Sequence, residues 1–263
     1  MSFIEFIGLE KSFGEKKIYK GVSLKIEKGE TITVLGGSGS GKTVMLKMLL
    51  GLMWPDAGRI LFDGKDVVTM TDEEILGVRR RVGMLFQGGA LFDSLSVKEN
   101  VAYPIREHFH HTEEEIARIV AEKLALVGLP GIEEMAPSDL SGGMKKRVSL
   151  ARAIATSPEV ILYDEPTTGL DPTNTRRIDN VIRDLQAKLD VTSIVVTHDI
   201  QSAFTISDRL ALLHDGKIKF VGTKSEVKNA DDPVVQGFIK GDMGDADTPN
   251  QVKNYAKARI RTR

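Results

Sequence analysis

Gly36-Gly37-Ser38-Gly39-Ser40-Gly41-Lys42-Thr43 is the stretch on which the fold turns. Residues 31–35 before it form an apolar, β-branched run that reads as a buried strand. After it, Met45, Leu46, Leu49 and Leu50 recur at helical spacing within residues 42–53, which predicts a helix. A strand, a loop carrying Gly-x-x-x-x-Gly-Lys-Thr and a helix, in that order, make the pattern of a phosphate-binding loop. The glycines let backbone N–H groups close around phosphate oxygens, and the helix N-terminus behind them adds partial positive charge. Lys42 is placed to meet the β- and γ-phosphates, and Thr43 offers its hydroxyl to Mg²⁺, a cation that takes oxygen ligands. A structureless Gly/Ser linker has no reason to sit between a buried strand and a helix with apolar periodicity.

The whole chain narrows the reading. Its 263 residues suit one large α/β domain, or a core with a small insert. It has no cysteine, which excludes disulfides and a Cys-ligated zinc site and fits a reducing compartment. A formal net charge of -1 argues against general attachment to nucleic acid. No stretch approaches the roughly 20 apolar residues that span a bilayer, and residues 1–10 carry acids where a signal peptide carries bases. Any transport role therefore has to be borrowed from a membrane-spanning partner.

Strand signals fall at 4–9, 22–26, 60–63 and 82–86, with Asp63-Gly64 as a turn. They return at 160–163, 193–197, 210–213 and 218–221, with a helical run at 175–188 and one more helix after 223. Strands alternating with helices predict an α/β fold with a largely parallel sheet. Residues 88–157 read as a mostly helical insert, with Thr112 as an N-cap ahead of the acidic 113–115. The expected organisation is one domain over 4–238, a helical subdomain at about 88–157 inserted in it, and a polar tail over 239–263.

Two further motifs carry chemistry. Val160-Ile161-Leu162-Tyr163-Asp164-Glu165 is an apolar strand that delivers two carboxylates at its C-terminal end, where ligands bind in open α/β sheets. Asp164 is placed to hold Mg²⁺ through water, and Glu165 to act as the general base towards an attacking water. Taken alone, such acids more often cap a turn; the loop at Gly36 changes that reading. The two motifs together indicate a P-loop NTPase and leave kinase, GTPase, helicase and transporter open. Leu140-Ser141-Gly142-Gly143-Met144 then opens a second helix with a glycine-rich N-terminus suited to an anion, and one nucleotide cannot occupy both loops.

At this point the chain resembles the ABC transporter ATPases, whose signature begins Leu-Ser-Gly-Gly. The resemblance runs from Phe6 to about Gly222 with the motifs in the family's order. It implies a P-loop NTPase with a mostly parallel core sheet, an antiparallel β part and a helical subdomain. It also implies a head-to-tail homodimer in which Ser141, Gly142 and Gly143 bind the γ-phosphate held by the opposite subunit. Gly36, Gly37, Ser38, Gly39, Ser40, Gly41, Lys42 and Thr43 would then hold ATP, with Phe13 stacked on adenine and Asp171, in Gly169-Leu170-Asp171, touching the partner's site. Gln87 matches a glutamine that senses Mg²⁺ beside Thr43 and Asp164, and His198 a histidine that contacts the γ-phosphate. Lys42, Gln87, Glu165 and His198 make up the expected catalytic set.

Met144, where that family commonly has Gln, and the segment 85–108 resemble the ATPases of the Mla, MCE-type lipid transporters. This implies ATP-driven phospholipid transport between bacterial membranes, with integral permease subunits, an MCE-domain lipid-binding protein and often a small STAS-domain subunit. The ATPase would sit on the cytoplasmic face of the inner membrane, peripheral through the permease. An importer for another substrate, or a soluble non-transport ABC ATPase, are the competing readings. Leu91, Phe92 and Leu95 form an apolar cluster expected to line a groove for a permease helix. In the tail, Tyr255 and the bases from Lys253 to Arg263 suit either a solvated end or a contact with the other subunit or with lipid headgroups.

Overall fold

A computed structural model describes residues 2–240. Of the expected tail over 239–263, residues 239 and 240 continue the last helix, and 241–263 lie outside the described residues.

Three strands are buried at every position: β3 (Thr31–Leu35), β7 (Val160–Asp164) and β8 (Thr192–Thr197). Strands buried along their whole length suit a parallel sheet covered on both faces. Side-chain alternation divides them between the two covering layers. Ile32, Val34, Val160, Leu162, Ile194 and Val196 join one core, together with Met45, Leu46 and Leu49 of α1 (Lys42–Leu49) and Ile75 and Val78 of α2 (Asp72–Arg80). Ile161, Tyr163 and Val195 join another, with α3 (Val97–His108), α4 (Glu113–Leu126), α5 (Gly142–Ala153) and α6 (Pro172–Leu189).

The main sheet is completed by β6 (Val82–Leu85), β9 (Arg209–His214) and β10 (Lys217–Thr223), in the order β10-β9-β3-β8-β7-β6. The pairs β9/β3, β3/β8, β8/β7 and β7/β6 are parallel, and only the edge pair β10/β9 is antiparallel. A second sheet, wholly antiparallel, orders β2 (Lys16–Ile26), β1 (Ile4–Phe13), β4 (Ala57–Phe62) and β5 (Lys65–Asp66). Its apolar face packs over α1 and the shared core. The expected mixture of a mostly parallel sheet, an antiparallel part and helices is what the chain forms.

The elements differ from the sequence expectation at their ends. The first two strands run well past 4–9 and 22–26, because register shifts after Phe6 and Leu9, with Gly8 at φ 59, let the ladder continue across positions that break the alternation. Helix α1 stops at Leu49 rather than near 53. Gly51, at φ 61, ends it in a Schellman arrangement in which Leu52 N donates to Lys47 O (2.9 Å) and Gly51 N to Met48 O (3.0 Å). Asp171 caps α6 ahead of Pro172, three residues before the expected start at 175. After residue 223 there are two short helices, α8 (Lys224–Lys228) and α9 (Pro233–Lys240), rather than one. Thr112 does cap α4, through a reciprocal pair with Glu115.

The packing of α6 on α7 (Ile200–Ile206) contains one polar exception. Asp179 Oδ2 lies 3.1 Å from Ser202 Oγ, which also lies 3.0 Å from Asp199 Oδ2, and Asp179 Oδ1 has no partner among the described residues. Burial pushes the Asp179 carboxyl up to about 6, and the charge of Asp199 acts in the same direction. A folded-state value above the unfolded one, near 3.9, favours folding only while the group is protonated. The advantage fades as pH rises from about 4 to about 6, and above that the buried carboxylate costs on the order of 2–3 kcal/mol. Asp179→Asn keeps the shape and the contact with Ser202, so it should raise Tm by several degrees at pH 7.5, with a gain that shrinks towards pH 5. Melting curves of both proteins across that range check this, and an equal Tm at pH 7.5 would contradict it.

Candidate nucleotide site

Four of the five parallel strands, β3, β6, β7 and β8, place their C-terminal ends at one edge of the sheet, and the loops that leave them carry the expected site residues. The first is the loop from Gly36 to Gly41. A Cβ at Gly36 would lie 2.7 Å from Leu213 O, so the loop leaves the sheet through a gap only glycine fits. Gly41 caps α1 at φ 103, and a Cβ there would meet Ile18 Cγ2 at 2.5 Å and Tyr19 Cε1 at 2.9 Å. Tyr19 locks the turn by donating to Gly41 O at 2.5 Å. Lys42 curls back over the loop, its Nζ donating to Gly36 O (2.8 Å) and Gly37 O (3.0 Å). Among the described residues, the N-terminus of α1 has no side-chain cap and no acid in its first turn, and Ser40 Oγ is buried without a partner. Unmatched donors of this kind suit a phosphate, and the residues present fit one.

β7 supplies the carboxylates. Thr43 Oγ1 donates to Asp164 Oδ1 at 2.8 Å, which brings together two hard oxygen ligands of the kind Mg²⁺ takes. Burial raises the Asp164 pKa against that hydrogen bond. Glu165 takes a left-handed backbone, φ 48, with its N–H donating to Val196 O at 2.9 Å. A non-glycine residue in that conformation costs about 1 kcal/mol or more, and the neighbouring strand holds it there. Its Oε2 accepts from Thr197 Oγ1 and Thr168 Oγ1, each at 3.1 Å, and lies 2.9 Å from His198 Nδ1; its Oε1 lies 3.4 Å from Lys42 Nζ. Burial opposes the charge, but His198, Lys42 and Thr168 outweigh it, so the carboxyl sits below the usual range and is ionised at neutral pH. Lys42, Thr43, Gln87, Glu165 and His198, with Ser38 and Gly39, line a single cavity of about 580 Å³.

Gly41 lines it too, whereas Phe13, Ser141, Gly142, Gly143 and Asp171 lie outside that lining. Phe13 ends β1, 46% exposed, with the Lys11 ammonium 5.6 Å from its ring centroid. Ser141 caps α5 by accepting from Met144 N at 3.3 Å, and a Cβ on Gly143 would lie 2.6 Å from Asn174 Oδ1. Asp171 accepts from Thr173 N and Asn174 N as the cap of α6 and holds Asn174 Nδ2 at 2.5 Å. Ser141, Gly142, Gly143 and Asp171 thus form a second cluster joined through Asn174.

The sequence reading missed several residues. Thr168, Thr197, Tyr19 and Asn174 carry no pattern of their own. Lys146 did leave a signal, a charge in phase with the buried Gly143 and Leu150 of α5. The apolar cluster expected at Leu91, Phe92 and Leu95 divides. Leu91 packs against the helical core, Leu95 is half-buried and Phe92 is 43% exposed, because the buried Asn100 holds the loop through Phe92 N, Phe92 O and Leu95 O. Phe92 instead shares a groove of about 470 Å³ with Phe86, Tyr103 and Pro104, flanked by Arg79, Arg80 and Arg152.

Comparison with known proteins agrees with this geometry. A family profile described as ABC transporter matches residues 19–168. The "Intermembrane phospholipid transport system ATP-binding protein MlaF" of Haemophilus influenzae is 43% identical over 241 residues, covering 92% of this chain and 91% of that protein. The "Probable ribonucleotide transport ATP-binding protein mkl" of Mycobacterium tuberculosis is 44% identical over 238 residues, 90% of this chain, which spans 66% of that relative's length. Among solved structures, a dimeric post-hydrolysis state of the ATP-binding cassette MJ0796 bound to ADP and Pi superposes with a TM-score of 0.76 at 32% identity, over 84% of this chain and 98% of that one.

Two of the loop's glycines make a paired test of its shape. Gly41→Ala meets side chains on two sides in a left-handed backbone and should lower stability by roughly 1–3 kcal/mol. Gly37→Ala, with open space around its Cβ, should change it by less than about 0.5 kcal/mol. Urea denaturation of the two variants decides, and equal effects would mean the loop is not held as described.

Proposed function

This chain belongs to the ABC transporter family of ATP-binding subunits, and from that premise we propose that it binds and hydrolyses ATP as a homodimer to drive phospholipid transport between bacterial membranes through integral permease subunits. The observation that carries the reading is the convergence of Lys42, Thr43, Gln87, Glu165 and His198 on one cavity, with Asp164 one hydrogen bond behind.

In this reading the backbone of 36–41 wraps the phosphates, and Lys42 exchanges the carbonyls of Gly36 and Gly37 for β- and γ-phosphate oxygens. Thr43, Asp164 and Gln87 would hold Mg²⁺, which when bound neutralises charge on those oxygens. Glu165, ionised, orients a water and accepts its proton as the water attacks the γ-phosphorus. The bond to the β–γ bridging oxygen breaks, giving ADP and phosphate. His198 meets the γ-phosphate, held in place by its contact with Glu165. Phe13 stacks on adenine. Ser141, Gly142, Gly143 and Asp171, which stand apart from the chain's own cavity, complete the site of the opposite subunit, an arrangement supported by the dimeric form of MJ0796.

The phospholipid substrate rests on the name of the H. influenzae relative and on the near-complete match of both chains. The mkl relative, named for ribonucleotide transport, supplies the second reading over a smaller share of its own length. An MCE-domain lipid-binding protein and a STAS-domain subunit are the further proposed partners, at the cytoplasmic face of the inner membrane. Among the described residues no helix is long and apolar enough to cross a membrane, which fits attachment through the permease. The groove at Phe92 receives a permease helix, its aromatic floor burying the apolar side and its arginines meeting polar groups.

Glu165→Gln should keep ATP binding and lose turnover by roughly two to four orders of magnitude, with an ATP-bound dimer accumulating. Parental hydrolysis in that variant would remove the carboxylate from its role. Phe92→Asp should leave melting temperature and ATP binding near parental while abolishing copurification with the permease; a large loss of Tm would place Phe92 in the core instead. Mass spectrometry of the assembled complex should find phospholipid, and nucleotide in its place would favour the second reading.

A further inference from the structure

Lys146 is a cation where α5 presents its buried face. It is 7% exposed, and instead of reaching for water its ammonium donates to the main-chain carbonyls of Gln87 and Glu165, the latter at 3.4 Å. Both carbonyls belong to residues whose side chains line the nucleotide cavity. One of them sits in the strained peptide region of Glu165, where φ is 48.

The same helix holds the next residues of the Gln87 loop. Arg152 donates to Ala90 O at 2.8 Å and to Gly89 O at 3.1 Å, and a Cβ on Gly89 would come within 2.9 Å of Ser149 Oγ. Helix α5 therefore fixes the backbone of 87–90 at three points, and Lys146 alone also touches the β7 end. Four residues before Lys146, the helix begins at Gly142, in the segment assigned to the opposite subunit's nucleotide. Six residues after it, Arg152 lines the groove with Phe92, its guanidinium 5.6 Å from that ring's centroid. Burial lowers the Lys146 pKa, while the charges of Asp164 and Glu165 act to keep the ammonium protonated.

We propose that Lys146 is a positioning residue for hydrolysis: it clamps the carbonyls of Gln87 and Glu165 to helix α5, so that displacement of that helix at either end moves the side chains facing the γ-phosphate. The proposal deepens the ATPase reading and rests on it. Without the ammonium, the Gln87 carbonyl loses that donor and the Glu165 carbonyl is left with Thr168 N, at 3.3 Å; the Glu165 turn then relaxes, and a shift of about 1 Å at the carboxylate is enough to cost on the order of 100-fold in rate.

The test uses the full chain, alone and assembled with its permease, in three variants. Lys146→Met keeps the length and removes every donor. It should lower kcat by about 10- to 100-fold with KM for ATP within about 3-fold, and should abolish stimulation by the permease. Lys146→Arg, which restores the charge and the donors, should recover kcat to within about 3-fold of parental. Lys146→Gln, with donors but no charge, should fall between them, and it stands in if the Met variant does not fold. A Met or Gln variant with parental kcat and parental stimulation overturns the proposal. So does an Arg variant as slow as Met, since that would mark a packing role rather than a positioning one. Absence of ATPase activity in the parental assembly would instead sink the ATPase reading, so the two failures are distinguishable.

Discussion

Parallel pairing of β3, β6, β7 and β8 is the constraint on which the site depends, because strands that run the same way release their loops at the same edge. That edge is also where the chain buries charge. Lys42, Lys146, Asp164 and Glu165 are each less than 9% exposed, two cations and two carboxylates. Isolated burial of any one would be prohibitive, and removing a partner from such a group is costlier than the group's net contribution to stability. The balance is local: Lys42 faces Glu165, Thr43 bonds Asp164, and Lys146 lies in the field of both acids. A site arranged this way holds an ionised carboxylate at the cavity, which is the condition a general base needs at neutral pH.

The chemistry was more legible in the sequence than the geometry that supports it. Glycines at 36 and 41 can be read directly, since a backbone that must leave a sheet through a gap, or turn left-handed into a helix, permits little else. Residues 160–165 announced a buried strand ending in acids for the same reason: apolar runs and carboxylates at a strand end are local patterns. Strand faces were not legible, because β3, β7 and β8 are buried on both sides and only three-dimensional packing assigns Val160 to one core and Ile161 to the other. Nor were the true lengths of β1 and β2, which depend on register shifts that tolerate breaks in alternation. The end of α1 was readable at Gly51 in principle, but the apolar periodicity of Leu52 and Met53 ran past it.

Within one chain the site residues fall into two groups, and this separation is physical rather than a gap in the assignment. Lys42, Thr43, Gln87, Glu165 and His198 are drawn together by the sheet edge. Ser141, Gly143 and Asp171 are drawn together by Asn174, which fits against a glycine that has no side chain to exclude it and is held by the cap of α6. Asp171 is engaged by two backbone N–H groups and the Asn174 amide, so its carboxylate serves to shape this second cluster whatever else it touches.

Among the described residues, helix α5 contacts both groups. Its first turn carries Gly142 and Gly143, its middle reaches Gln87 and Glu165 through Lys146, and its last turn meets the groove through Arg152. A helix with a packed core behind it, Val148, Leu150 and Ala151 all being buried, moves as a body rather than bending residue by residue. A load applied at Phe92 and Arg152 would then reach the Glu165 carbonyl about two turns away without a loop in between to absorb it. Within the described residues, a single helix with contacts at its start, middle and end thus connects the groove to the carboxylate's own backbone.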